Sequence, residues 1–115
     1  MQHIAIALAL TAVLLSSPVS AATVMSESQA RVAAAKILKG DPYGNSFEQI
    51  SKNIDEAHLI SSGNICGARV TKPLWRFQIV VPKNRNPSGD HEIRGSFVID
   101  GQTGKMVCAY LPFLD

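Results

Sequence analysis

The fold of this chain is decided by the stretch Leu74-Trp75-Arg76-Phe77-Gln78-Ile79-Val80-Val81. Large apolar side chains recur in it at every second residue, which is the period of a strand with one buried face. Trp75, Phe77 and Ile79 share that face on this pattern, while Arg76 points to the opposite one. The pattern predicts a strand over Leu74–Val81 whose aromatic side chains belong to the core.

The chain on either side of this strand shows the same period of two. After the polar loop Pro82–Asp90, Phe97 and Ile99 alternate with polar neighbours and extend the predicted core. Asp100–Gly104 is typical of a tight turn, because Asp and Gly favour turn conformations. The further predicted strands are Ile65–Val70, Ile93–Asp100 and Met106–Leu111.

A helix is predicted before these strands. Ser26 and Gln29 have the spacing of a capping box, in which each side chain bonds the main chain of the other residue. Gly40 is a natural residue to follow the end of the helix. An apolar stripe at helical spacing is formed by Ala30, Ala33, Ala34, Ile37 and Leu38.

A second, shorter helix is predicted to begin at Ser46, with Phe47, Ile50 and Ile54 on one face. For Ala57–Ile60 the sequence leaves helix and strand both open. Helices followed by an antiparallel meander define the α+β class. We therefore expect the long amphipathic helix and the short one to pack on a sheet of 3–4 antiparallel strands, with Ile37 and Leu38 facing the sheet.

The first 22 residues resemble a signal peptide rather than part of a domain. The apolar run Ile4–Leu15 is shorter than the roughly 20 residues that span a bilayer, and it fits the hydrophobic region of a signal peptide. Small residues follow, so we expect cleavage after Ala21 or Ala22; the alternative is an uncleaved buried helix. The expected product is a single domain over residues 23–115, periplasmic or secreted, without a stable membrane span.

Both cysteines, Cys66 and Cys108, belong to the expected exported domain. In an oxidising compartment they most simply form one disulfide; the alternative is two reduced, buried thiols. Closing a loop of about 40 residues would stabilise the fold by roughly 4 kcal/mol on the chain-entropy model.

Charge and motifs narrow the possible functions. The net charge is +2, with 11 basic and 9 acidic residues interspersed, so nothing predicts nucleic-acid binding. His58 and His91 are the only histidines after residue 22, and no metal-binding, nucleophile or phosphate-loop motif occurs. Asp100 precedes Gly101 and is explained as a turn residue. We therefore predict a non-enzymatic protein without catalytic residues, metal or cofactor.

Basic residues offer one candidate binding surface. Arg76 and Arg94 are expected on the polar face of neighbouring strands, and Arg69 is expected beside them. Lys83 and Arg85 lie in the polar loop. Guanidinium groups bind carboxylates through paired hydrogen bonds, which would suit an acidic protein partner. The alternative is a solvated face with cross-strand pairs such as Arg76 with Asp100.

Two stretches, Trp75–Val81 and Gly95–Val107, together resemble a PepSY-type domain: an aromatic-rich strand, a variable loop, and a strand ending in Asp and a Thr-Gly turn. The helix Ser28–Leu38 resembles the helix that precedes that sheet, whereas Asp41–Asn64 and the cysteine pair depart from the pattern. The resemblance implies an envelope or secreted module, sometimes linked to the restraint of peptidases. It supplies no functional residue to transfer.

Gln78–Pro82 is similar to the inhibitory hairpin of cystatins, which are protease inhibitors with a helix-on-sheet fold. Pro82 stands where that motif has glycine, and Trp75 precedes the motif instead of following it, so only the gross architecture is expected to be shared.

The leading hypothesis is an exported binding module that acts on another envelope or secreted protein. The second is a binder of small ligands or of the envelope surface, which a pocket lined by Trp75 and Phe97 would favour. The third is an enzyme of unrecognised type, which would require His58 or His91 to meet an acidic residue in a cleft.

Overall fold

The structure is a computed structural model that describes residues 23–114, so the predicted signal peptide lies outside the described residues. Its helices are α1 (Glu27–Leu38) and α2 (Phe47–Ser51), with a short 3-10 helix at Lys83–Arg85. Its strands are β1 (Ile54–Ile60), β2 (Asn64–Ile65), β3 (Ala68–Arg69), β4 (Leu74–Val81), β5 (Ile93–Asp100) and β6 (Met106–Tyr110). The predicted α+β class, with two helices and an antiparallel sheet, is confirmed.

The main sheet has four antiparallel strands in the order β1-β4-β5-β6. β4 lies at its centre, where Phe77 is paired with Ala57 on one side and Phe97 on the other. The Phe77 and Phe97 rings stack with centroids 5.4 Å apart, and both side chains are fully buried. The period of two in Leu74–Val81 therefore correctly identifies the buried face of the sheet.

One hydrophobic core joins this face to the helices. Ala30, Ala34 and Leu38 of α1 and Ile50 of α2 are buried in it, whereas Ile37 is only partly buried. The predicted core members of the sheet are all buried: Trp75, Phe77, Ile79, Phe97 and Ile99. The buried face of α1 is therefore rotated slightly from the predicted stripe, because Ala35, which is not part of that stripe, is also buried.

The start of α1 is fixed to the sheet as well as capped. Both bonds of the predicted capping box are present between Ser26 and Gln29. Just before it, the amide of Met25 donates to the carbonyl of Gly101 at 2.8 Å, and Trp75 donates from Nε1 to the carbonyl of Met25 at 3.0 Å. The partly buried indole N–H therefore has its partner, and the residue before the helix cap is held beside the β5–β6 turn.

Two predicted elements are wrong. Ile54, expected in the second helix, begins strand β1, so the Ala57–Ile60 ambiguity resolves as strand. Ile65–Val70, expected as one strand, is a separate two-stranded hairpin of β2 and β3 whose turn residues Cys66 and Gly67 have φ of 56° and 78°. A continuous strand is incompatible with left-handed backbone at two successive residues.

The predicted disulfide is confirmed. It joins Cys66 in the hairpin turn to Cys108 of β6, with Cα atoms 6.3 Å apart, within the usual range for a bridge. Because Cys66 lies outside the main sheet, the bridge fastens the hairpin to the sheet and does not link two of its strands. The hairpin lies beside Leu74 on the face opposite the core, where Leu74 and Val98 are buried.

Within residues 23–114, no helix is long and apolar enough to cross a lipid bilayer.

Candidate functional site

The three arginines expected on one sheet face do not form a cluster. Arg76 and Arg94 lie on that face, but the register pairs Arg76 with Val98 and Arg94 with Val80, four positions apart along the strands. Arg69 lies on the separate hairpin, so its expected place on a neighbouring strand is wrong. The predicted arginine surface is therefore divided into three separate positions.

The cross-strand ion pair of Arg76 with Asp100, which was the alternative to a binding surface, is also absent from the described residues. Asp100 is paired in register with Leu74, and its Oδ2 lies 2.7 Å from Nζ of Lys72, so the pair with Arg76 is not formed. Arg94 Nε contacts Oε2 of Glu92 at 3.1 Å. Within the described chain, the guanidinium group of Arg76 has no ion-pair or hydrogen-bond partner.

The basic loop residues are positioned more firmly at one site than at the other. Arg85, in the 3-10 helix, donates from Nε to Oδ1 of Asn53 at 3.0 Å and from Nη2 to the carbonyl of Lys52 at 3.3 Å. Asn53 is buried and donates from Nδ2 to the carbonyl of Tyr43 at 2.9 Å. One buried amide thus connects the loop to the turn after α1, whereas Lys83 is exposed.

A cavity of about 360 Å³ opens where this loop, the turn after α1 and the C-terminal segment meet. We call it the loop groove. Its wall is mainly apolar and includes Pro42, Pro87, Ile93, Pro112 and Phe113. Phe113 is 79% exposed, which makes it the most exposed large apolar side chain of residues 23–114. An exposed aromatic ring at the mouth of an apolar cavity is a feature of binding surfaces.

Hydrogen bonds fix both sides of the loop groove. The buried hydroxyl of Tyr43 donates to the carbonyl of Pro112 at 2.5 Å, and burial raises the pKa of Tyr43 to about 12. On the loop side, Asn86 donates from Nδ2 to the carbonyl of His91 at 2.8 Å and accepts from the amide and hydroxyl of Ser88. The groove is therefore built on positioned backbone, which reduces the cost of ordering it when a ligand binds.

A second cavity, of about 310 Å³, adjoins the loop groove. Asp41, Pro42 and Pro87 line both cavities, while Arg85 and Gln49 line only the second. We call this the Arg85 cavity. An apolar groove therefore adjoins a cavity of mixed polarity that contains a hydrogen-bonded guanidinium group.

Neither histidine is arranged for catalysis. His58 Nε2 lies 2.7 Å from Oε1 of Glu56, but both side chains are more than half exposed on β1 and line none of the cavities described here. His91 and Asp41 both line the loop groove, yet within residues 23–114 the His91 ring has no hydrogen-bond partner to orient it. In the same part of the chain, no group of three or more His, Cys, Asp or Glu side chains could hold a metal ion.

The space between helix and sheet is occupied by the stacked rings of Phe77 and Phe97, next to Trp75, whose ring centroid lies 6.4 Å from that of Phe77. The cavities described here lie at the edges of the domain and are lined by neither Trp75 nor Phe97. The interlayer pocket that the second hypothesis requires is therefore not among them.

Sequence reasoning placed the loop among contact residues but missed Tyr43 and Phe113. Tyr43 lies in a turn signal and Phe113 beside a proline, so neither belongs to a periodic pattern. The only signal for these two residues was that each is an aromatic residue in a turn or terminal segment, where aromatic side chains are not expected.

Comparison of this chain with models of known protein families, with curated proteins and with solved structures finds no match.

Proposed function

We propose that this chain is an exported, non-enzymatic binding module that engages another protein of the cell envelope or a secreted protein. In this proposal residues 1–22 are a removable signal peptide, and the remaining PepSY-like domain acts in the periplasm or outside the cell. The disulfide supports this location, since such bonds persist in oxidising compartments. The resemblance suggests a peptidase or another hydrolase as the restrained partner.

The observation that carries the proposal is the position of Phe113 at the mouth of the loop groove. Its ring remains exposed although an apolar cavity lies directly beside it. Hydrophobic anchors of this kind dominate protein interfaces when a partner covers them. The adjoining Arg85, held by Asn53, supplies a polar contact that would fix the orientation of the partner.

A small apolar ligand is the second candidate. The loop groove has a volume within the roughly 300–1,000 Å³ typical of ligand pockets. A ligand would occupy this surface groove and not the space between helix and sheet. The interlayer form of the second hypothesis therefore gains no support from the packing.

The test is affinity capture with the purified, disulfide-bonded protein from extract of its native envelope, followed by measurement of direct binding to each captured protein. Phe113→Asp should abolish capture, because it places a charge in the apolar contact. Tyr110→Asp is the matched control, since Tyr110 is an exposed aromatic residue of β6 outside the groove, and it should leave capture unchanged.

Capture that is equal for wild type and Phe113→Asp would contradict the proposed site. Recovery of no directly binding protein, together with a small molecule that mass spectrometry detects on wild type and not on Phe113→Asp, would favour the second candidate.

A further inference from the structure

A third cavity, of about 260 Å³, lies between α1 and α2, and we call it the α1–α2 cleft. Its floor includes Ala35 and Ile50, which are buried. Val32 and Phe47 line its walls and remain 44% and 52% exposed. Both walls therefore expose apolar surface to water. A third side chain placed between them would cover this surface.

Two cations lie along the same cleft. Lys36 and Lys39 line it, both are exposed, and within residues 23–114 neither ammonium group has an ion-pair or hydrogen-bond partner. The dipole of α1 favours cations near its C-terminal end, but it does not explain an exposed Phe47 and Val32 beside them. An apolar cleft with two unpaired ammonium groups is complementary to an apolar group that carries negative charge.

The size of the cleft indicates what fits. Its volume is below the range typical of complete small-molecule sites, so it suits one anchoring side chain rather than a whole ligand. Carboxylates on either side of that anchor would meet Lys36 and Lys39.

The cleft also continues toward the surface described above. Asn45 lines both the α1–α2 cleft and the Arg85 cavity, which in turn shares Pro42 and Pro87 with the loop groove. The three cavities therefore follow one another around the turn after α1. Among the described residues that line these cavities, the cations Lys36, Lys39 and Arg85 outnumber the one acidic residue, Asp41.

We infer that the α1–α2 cleft binds an apolar side chain flanked by carboxylates, on an acidic segment of the same protein partner that occupies the loop groove. This inference rests on the proposed function for the identity of that segment. The cleft adds charge selectivity to a contact that the loop groove makes mainly through apolar surface.

The test uses three short synthetic peptides in which a central leucine is flanked on each side by two glutamates, two lysines or two serines. Binding to the purified, disulfide-bonded protein is followed through its backbone amide resonances. The glutamate peptide should shift the resonances of Val32, Ala35 and Ile50, and the lysine peptide should not. Its affinity should fall with added salt, because surface charges are screened.

The double variant Lys36→Glu with Lys39→Glu should weaken binding of the glutamate peptide about tenfold, the effect of two surface ion pairs together. A control double variant, Arg69→Glu with Lys105→Glu, changes the net charge equally at exposed residues that do not line the cleft, and it should bind as wild type does.

The inference is overturned if no peptide binds, if the glutamate and lysine peptides bind equally, or if the shifts lie outside the cleft. Failure of the proposed function looks different. A partner that needs Phe113 but is captured equally by the Lys36→Glu, Lys39→Glu variant would uphold the loop groove and reject the cleft. If the cleft binds the glutamate peptide while envelope capture fails, the result would uphold the cleft and reject the loop groove.

Discussion

Tyr43 donates a hydrogen bond from its buried hydroxyl to the main-chain carbonyl of Pro112. The two residues are separated by 69 positions in sequence, and Pro112 lines the loop groove. The bond therefore joins the turn after α1 to the C-terminal segment that carries Phe113. Leu111 and Leu114 of that segment pack on the core, and the bond from Tyr43 fixes the main chain directly before Phe113.

Tyr43→Phe should loosen the main chain at that position while preserving the packing of the ring. We expect the free energy of unfolding to fall by about 1 kcal/mol, the usual value of one hydrogen bond. Urea unfolding measures this loss, and amide hydrogen exchange should accelerate at Phe113 and Leu114 more than in β4. Tyr110→Phe is the control, because Tyr110 is largely exposed and its hydroxyl makes no hydrogen bond within residues 23–114. Unchanged exchange at Phe113 in Tyr43→Phe would show that the bond does not position the tail.

Removal of the disulfide should destabilise the domain strongly. Cys66 and Cys108 are 42 residues apart, so the chain-entropy model gives roughly 4 kcal/mol for the bridge. The double variant Cys66→Ser with Cys108→Ser should unfold at much lower urea concentration, and dithiothreitol should move wild type to nearly the same midpoint. Dithiothreitol should have no effect on the double variant. Equal midpoints for oxidised and reduced wild type would contradict the predicted contribution.

The sequence pattern identified the centre of the sheet because burial on one face leaves a period of two. One face of the central strand β4 is buried in the core, so its residues Trp75, Phe77 and Ile79 are apolar and could be recognised. β1 is an edge strand with mostly exposed side chains, and its sequence Ile54–Ile60 carries no such alternation. The hairpin of β2 and β3 is too short for any period to appear.

The candidate site could be predicted only in part, for a related reason. The loop Pro82–Asp90 is recognisable from its polar and proline-rich composition, and it does form one wall of the groove. The rest of the site is assembled by long-range contacts, such as those of Tyr43 with Pro112 and Asn53 with Arg85, that local patterns do not encode. The strand parity that was used to group the arginines failed at Arg69, because its segment leaves the main sheet.

Asp100 should make the fold sensitive to acid. Its carboxylate pairs with Lys72 and accepts hydrogen bonds from the amides of Gln102 and Thr103, and these contacts lower its pKa from 3.8 to about 2. A carboxyl group with a lowered folded pKa stabilises the fold above its unfolded pKa, and this contribution disappears as pH falls toward the folded value. We therefore expect a loss of about 1–2 kcal/mol between pH 4 and pH 2.

Unfolding free energies measured across this pH range test the assignment to Asp100. Asp100→Asn should lower stability at pH 7 and flatten the acid dependence. Lys72→Gln should cost less than about 1 kcal/mol, because Lys72 is largely exposed and both amide bonds to Asp100 remain. An acid dependence in Asp100→Asn as steep as in wild type would assign the effect to other carboxylates.

Gly95 is required where the chain leaves β6 and crosses β5. A β-carbon placed on Gly95 would collide with the carbonyl oxygen of Tyr110 and would lie 2.8 Å from Cδ2 of Leu111, a buried core residue. Gly95→Ala should therefore lower stability by about 2–3 kcal/mol, since the colliding atom is backbone and cannot rotate away. Ser96→Ala, at the adjacent and half-buried position, should stay within about 0.5 kcal/mol of wild type. Urea unfolding of both variants distinguishes close approach at Gly95 from a general sensitivity of β5, and equal stability of Gly95→Ala and wild type would exclude this crossing.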